Sequence, residues 1–280
     1  MYFLMSKPLT SLRHWGALCL WAWCTIAFAD PARIVTLTPH ATEMVFAAGA
    51  GQQIVGTVES SDFPPGAQSI TRVGDGLNTS AEQVLALNPD WVVGWASPLL
   101  SQLQNLGVKT IASNPTSLQA IGQEVLRLGE LFETSARARA WHSQFEQAAH
   151  ELGNPDISPP VNVVILASSD AQFVIGRDAL INDTLKRCGA TNPFAATQAA
   201  APQISRESLI AAKPDVMISG RQFDGSQPMT LTVPLAVIDA DSLYRPGPRF
   251  IEAARTICTL VRAAQQERTA HTTHTTRTTP

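Results

Sequence analysis

A stretch of fourteen residues occurs twice in this chain, and that echo constrains its fold more than any other feature. Ser80–Val93 (SAEQVLALNPDWVV) aligns without gaps on Ser205–Ile218 (SRESLIAAKPDVMI) at a constant offset of 125 residues. Ser80/Ser205, Glu82/Glu207, Ala86/Ala211, Pro89/Pro214 and Asp90/Asp215 are identical. Each copy reads as an N-cap serine, a short amphipathic helix, a Pro-Asp turn and a buried strand. Two lobes of similar architecture are therefore expected.

The segments around the first copy have the same character. Arg33–Thr38 is a β-branched strand, with Thr38 as N-cap and Pro39 at the first position of a helix that runs to about Gly49. Further strands are expected at Ile54–Val58, Trp91–Trp95 and Lys109–Ala112, with a helix over Leu99–Leu106. Strands alternating with helices predict a mostly parallel α/β sheet. The strand signal then vanishes from 116 to 152. Thr116-Ser-Leu-Gln119 forms a capping box opening one helix to about Phe132. A second helix starts near Thr134, and its Trp141, Phe145, Ala148 and Leu152 share one face. About 18 residues at 1.5 Å each give it a length of about 27 Å. The pattern fits a spacer between two lobes, and equally an outer helix of one doubly wound domain; the internal echo favours the spacer. Val161–Leu166 opens a new buried strand.

The resulting organisation is a leader over 1–29, an N-terminal α/β lobe over 30–116, a helical segment with the linker helix over 117–160, and a C-terminal α/β lobe over 161–266. A disordered tail is expected over 267–280, because ERTAHTTHTTRTTP holds almost no apolar residue. Its two histidines are solvated, with no metal implied.

Lys7 and Arg13 precede a 13-residue apolar run from Trp15 to Ala27, and Ala27-Phe28-Ala29 follows. This is the pattern of a secretory signal peptide cut after Ala29. The run is short for an uncleaved anchor, which needs about 20 residues. Trp23 before Cys24 and Leu18 before Cys19 argue against lipidation. Cleavage removes two positive charges and no negative one, so the formal charge moves from −3 to −5. With no basic block in the body, nucleic acid is not an expected partner. Cys188 and Cys258 then remain as an even pair in an oxidising compartment, and one disulfide is the simplest reading, with two buried free thiols as the other.

No G-x-S-x-G elbow, H-E-x-x-H helix, phosphate-binding loop or C-x-x-C pair occurs in the body. Gly49-Ala-Gly51 lies after a helix, where it terminates the helix instead of cradling phosphate. An exported, two-lobed α/β chain without catalytic machinery fits a solute receptor with its ligand in the cleft. The competing class is an exported enzyme using Glu43, Asp62, Asp75 and Asp241 as acid/base carboxylates, but no pair among them has a sequence context that fixes its geometry.

Several separated segments carry a resemblance: Arg33–Gly49 (RIVTLTPHATEMVFAAG), Ser61–Pro65 (SDFPP), Ala86–Val93, Pro202–Glu207 (PQISRE) and Pro248-Arg249. Together they resemble the periplasmic binding proteins of cobalamin and iron-chelate ABC importers, most closely the vitamin B12 binders, over about residues 32–262. The resemblance implies two α/β lobes joined by one long stiff helix with little hinge closure. It implies a monomer that takes a corrinoid in the cleft, has no cofactor or metal of its own, and delivers the ligand to a dimeric membrane permease. Glu82 and Glu207 correspond to the paired glutamates that dock into permease arginines. A first-turn glutamate is also common for capping alone, but here two stand at matching register. The family disulfide falls on Cys188 and Cys258, in agreement with the cysteine count.

The resemblance places His40, Ser60, Phe63, Gly76, Trp95, Phe173, Asp241, Tyr244 and Arg245 at the ligand. Trp95 and Phe173 would stack on a flat ring; aromatics near strand ends are otherwise often core. Ser60, Gly76 and Ala201 stand where the B12 binders have further aromatics, so the pocket is less aromatic and another chelate becomes credible. Haem would call on His40 or Tyr244 as axial ligand. A ferric siderophore would call on Arg221, Arg245 and Arg249.

Overall fold

Alternate residues of the central strands turn to opposite faces, and the two faces meet different cores. In the computed structural model, which describes residues 30–277 except Leu77, 154–157, 169–172 and 221–232 and gives 271–277 by backbone alone, the first strand is β1 (Ile34–Thr36). Helix α1 (Pro39–Ala47), β2 (Ile54–Thr57), α2 (Ala81–Leu85), β3 (Trp91–Gly94), α3 (Pro98–Asn105) and β4 (Lys109–Ala112) follow. Helices α4 (Leu118–Leu131) and α5 (Ser135–Glu151) lead away from this sheet. A second set follows: β5 (Val161–Leu166), α6 (Ala179–Arg187), β6 (Ala190–Thr191), α7 (Arg206–Ala211), β7 (Val216–Ser219) and β8 (Leu235–Val237). Helices α8 (Ala240–Tyr244) and α9 (Phe250–Arg277) close the chain.

The strands form two four-stranded sheets of order β2-β1-β3-β4 and β6-β5-β7-β8, every neighbouring pair parallel. The fold is thus two α/β lobes joined through α5. Ile34, Val93 and Ile111 of one sheet and Val163, Ile165 and Ile218 of the other belong to a single buried cluster, filled in by α1, α4, α5 and α9. Their strand neighbours point the other way. Val35 and Val92 pack under α2 with Ala81 and Val84, and Val164 and Met217 pack under α7 with Leu209. Period-two alternation therefore gives the lobes one shared core and two private ones.

The sequence echo is a structural one down to individual hydrogen bonds. Asp90 donates its N–H to Arg33 O (2.8 Å) and accepts the Arg33 N–H on its carboxylate (2.7 Å); Asp215 makes the same pair with Asn162, at the same distances. The side chains of Arg33 and Asn162 donate to the last carbonyls behind α2 and α7, on Leu87 and Asn88 and on Ala212 and Lys213. Asn88 and Lys213 each stand at positive φ (47° and 45°), the left-handed residue that ends the helix. The Pro-Asp turn is a clamp between helix end and strand start, built twice.

Several expectations need correction. The cap of α4 is Ser117, whose hydroxyl accepts from Ala120 N–H (3.0 Å), so the helix starts one residue later than a Thr116 box implies. Thr38 occupies the N-cap position of α1 without a side-chain cap bond. The buried seam of α5 and its C-cap is Ala138, Phe145, Ala149 and Leu152, with Trp141 and Ala148 only partly buried. The tail differs most: α9 continues through 267 to Arg277. Arg268 explains its first turn, pairing with both carboxylate oxygens of Asp215 and donating to Pro159 O and Pro160 O (3.2 Å each). The leader, 1–29, lies outside the described residues.

Cys188 and Cys258 are joined by a disulfide that ties the end of α6 to α9. Among the described residues no helix is long and apolar enough to cross a membrane, and no cluster of three or more potential ligands could hold a metal ion.

Candidate functional site

Trp95 follows the last residue of β3, where the strand ends at the cleft. Gly94 lets it lie close: a Cβ there would stand 2.9 Å from the Leu37 Cβ. The indole is half exposed, at 50%, so Trp95 is not a core residue; nor is Phe173, at 38%. Behind the indole lies the ring of His40, with centroids 5.2 Å apart. His40 is buried, and its Nε2 faces Ser113 O at 3.2 Å. Burial pushes its pKa down to about 4 against the opposing pull of that carbonyl, so the imidazole is neutral at pH 7. With a carbonyl as partner, Nε2 carries the proton. His40 braces Trp95.

Three hollows of about 360–370 Å³ meet at Trp95. The first brings together six of the expected residues, His40, Ser60, Gly76, Trp95, Tyr244 and Arg245, and so spans both lobes. It is open because Ser60 is small and Gly76, at φ +90°, has no side chain. A second hollow lies within the first lobe, beside Ser97 and Leu99. The third again spans the lobes, between Asn114–Thr116 and Arg177–Ile181. Phe173 does not line any of them; it bridges to Gln203 at the edge of the second sheet.

One wall is an ionic strap across the lobes. Arg245 reaches Asp241 (2.7 Å) on its own lobe, and Asp62 (2.7 Å) and Glu43 (3.6 Å) on the other. Arg249 forks onto Glu43 Oε1 at 2.7 and 3.1 Å and lies over the Phe63 ring, 4.4 Å from its centroid. Burial pushes the Glu43 carboxyl above the ordinary carboxylate range despite Arg249 and Arg245. Burial pulls Asp62 the same way, but the hydrogen bond and charge of Arg245, its own backbone amide and the charge of Arg249 outweigh it and hold Asp62 below that range. Arg72 steadies the loop carrying Ser60 to Phe63, donating to Val58 O and Ser61 O (3.0 Å each). Sequence reading named Glu43 and Asp62 only as possible acid/base groups, because pairs 183 and 206 residues apart have no local signature.

The rival readings fare poorly on this geometry. Tyr244 donates its hydroxyl to Leu166 O (2.6 Å) and accepts from Gly220 N–H (3.0 Å), stapling the ends of β5 and β7. Both axial-ligand candidates for haem are thus engaged with backbone. Arg245 and Arg249 are matched with carboxylates instead of lining an anion cleft, and Arg221 lies outside the described residues. Three of the four candidate catalytic carboxylates are held by these arginines, and Asp75 accepts from Asn78.

Glu82 and Glu207 stand fully exposed at the second positions of α2 and α7, behind Ser80 and Ser205, which both cap. Their own backbone amides and those serine hydroxyls hold both carboxyls below the usual range, so both are charged at neutral pH.

A family model described as periplasmic binding protein matches residues 34–239. The chain belongs to the periplasmic binding protein family. Membership makes it a solute receptor, not an enzyme, and implies a periplasmic location and delivery of a small ligand to an ABC transporter. This receptor is 31% identical over 252 residues to the vitamin B12-binding protein of Pectobacterium atrosepticum, covering 84% of this chain and 90% of that one. Its fold is similar to the periplasmic vitamin B12 binding protein BtuF of Vibrio cholerae, with TM-score 0.77, 27% identity, and coverage of 84% and 98%. It is also similar, at TM-score 0.66 and 26% identity over 84% and 99% of the two chains, to the periplasmic heme-binding protein RhuT of Roseiflexus sp. RS-1 in apo form.

Proposed function

We propose that this receptor captures cobalamin or a related corrinoid between its lobes, as a monomer without a cofactor of its own, after export by a leader cleaved behind Ala29. The observation that carries the reading is the half-exposed Trp95 at the meeting point of three hollows, braced by a neutral histidine. A flat, partly apolar ring stacks on such a surface, and the hollows around it accept peripheral groups. Names of relatives support the corrinoid. The engagement of His40 and Tyr244 favours it over haem.

Delivery to the permease rests on Glu82 and Glu207. Each is an exposed, ionised carboxylate on a rigidly capped helix on the outer face of its own lobe, suited to a bidentate arginine partner. Calorimetry of the mature protein with cyanocobalamin, cobinamide, haemin and a ferric siderophore tests the ligand. Stoichiometric corrinoid binding without product is expected. Haemin binding with an axial-ligand spectrum, and no corrinoid binding at micromolar concentrations, would reject the assignment.

A further inference from the structure

Trp95 and Tyr244 also line a hollow whose chemistry differs from that of the one beside Arg245. Its first-lobe wall carries the exposed Asn114 and Thr116, and its second-lobe wall the segment Arg177–Ile181. Arg177 is fixed at the backbone, where Gly176 N–H donates to Ala200 O (2.8 Å) and Arg177 N–H to Ala199 O (3.2 Å). Its guanidinium has no hydrogen-bond or ion-pair partner among the described residues. The adjacent Asp178 lines the same hollow, but its Oδ1 is turned to the N-terminus of α6, accepting from Ile181 N–H (2.8 Å), and it forms no ion pair with Arg177. Two arginines line these hollows among the described residues. Among the described residues Arg245 has three carboxylates within ion-pair distance and Arg177 has none.

We propose that this hollow is a second compartment of the ligand site, and that Arg177 binds a phosphodiester-bearing polar arm of the ligand. The inference rests on the corrinoid reading and deepens it. A ring stacked on Trp95 meets Arg245, already paired with carboxylates, in one adjoining hollow and a guanidinium in no ion pair, with an amide and a hydroxyl, in another. A phosphodiester accepts hydrogen bonds from all three. Cobalamin carries such an arm and cobinamide lacks it, so the compartment discriminates between complete and truncated corrinoids.

The test compares calorimetric affinities of cyanocobalamin and cobinamide for the mature wild type, Arg177→Gln and Arg177→Lys. The wild type should prefer cyanocobalamin about fivefold, the scale of one partly exposed charge contact. Arg177→Gln should remove that preference by weakening cyanocobalamin alone, and Arg177→Lys should restore part of it. The preference should also shrink between 50 mM and 500 mM salt. If both corrinoids bind the wild type and Arg177→Gln changes neither, or both equally, the compartment proposal fails and the corrinoid reading stands. If neither corrinoid binds the wild type, both fall.

Discussion

Removing the Glu43 side chain and removing only its charge should have very different costs. Glu43 is buried, with a side chain 1% exposed, and its Oε1 takes both hydrogen bonds of Arg249, whose side chain is 16% exposed. Its Oε2 is buried and has no hydrogen-bond partner among the described residues. Truncation to alanine strands Arg249 without its carboxylate. Breaking a buried pair in this way costs about 3–5 kcal/mol, and the residual exposure of Arg249 places the expectation near about 3 kcal/mol. For a chain of this size each kcal/mol moves Tm by about 2–4 °C, so Glu43→Ala should lose about 6–12 °C. Glu43→Gln keeps an acceptor for Arg249 and removes a charge whose burial is unfavourable, as the upward push on its carboxyl shows. Its amide NH2 takes the place of an oxygen that already lacks a partner, so the loss should be about 1 kcal/mol. Urea unfolding of wild type and both variants at pH 7 measures the two numbers. Equal destabilisation by Gln and Ala would refute the account, because it would make the ionic component, not the packing and the acceptor, the dominant contribution.

Trp95→Ala should weaken corrinoid binding by about 30- to 100-fold in calorimetry: about 125 Å² of indole surface stands open to the ligand, worth up to about 3 kcal/mol. Charge reversal at Glu82 and Glu207 together should abolish transporter-dependent uptake in cells or vesicles while the ligand Kd stays within twofold; surviving uptake would remove the docking role. Replacing Cys188 and Cys258 by serine should cost roughly 4 kcal/mol in urea unfolding, the chain-entropy value for a bridge across a separation of 70 residues. Asp62, held low by Arg245, contributes stability that is complete above the unfolded carboxylate pKa and lost as pH falls through its folded value. Asp62→Asn should therefore narrow the stability difference between pH 6 and pH 3, by a small amount because this carboxylate is half exposed.

The parts of this structure that were legible beforehand are those written in short-range sequence. The 125-residue echo announced two lobes because each copy packs a helix end, a turn and a strand start into fourteen contiguous residues. Which core each strand residue joins was not legible: Ile34 and Val35 are adjacent, apolar and both buried, and only the fold assigns them to different faces. Adjacent Thr116 and Ser117 are both competent caps, and only the backbone decides for Ser117. Ala148 and Ala149 are chemically identical, so the seam of α5 could not be placed to the residue. The tail composition carried no sign of Asp215, which meets Arg268 from 53 residues away. The strap joining Glu43, Asp62, Arg245 and Arg249 was invisible for the same reason, as was the hollow at Arg177, which exists only where two lobes face each other.

The shared core bears on how such a receptor achieves affinity. Two lobes on a flexible hinge would close over a ligand, with part of the binding energy consumed in ordering them. Here strands of both sheets bury side chains in one continuous cluster with α5 and α9, and four charged groups tie the cleft wall on the outer side. Opening the cleft would expose apolar core and break the buried Glu43–Arg249 pair together, so the open state is disfavoured before any ligand arrives. The binding surface is then set in advance, and selectivity falls to its shape and to the few groups whose hydrogen-bonding capacity is unspent. Trp95 supplies the shape. Because His40, Tyr244, Arg245 and Arg249 are consumed in holding that surface rigid, the proposed discrimination among flat ligands falls to residues outside that framework, and among the described residues lining the hollows Arg177 is the arginine in no ion pair.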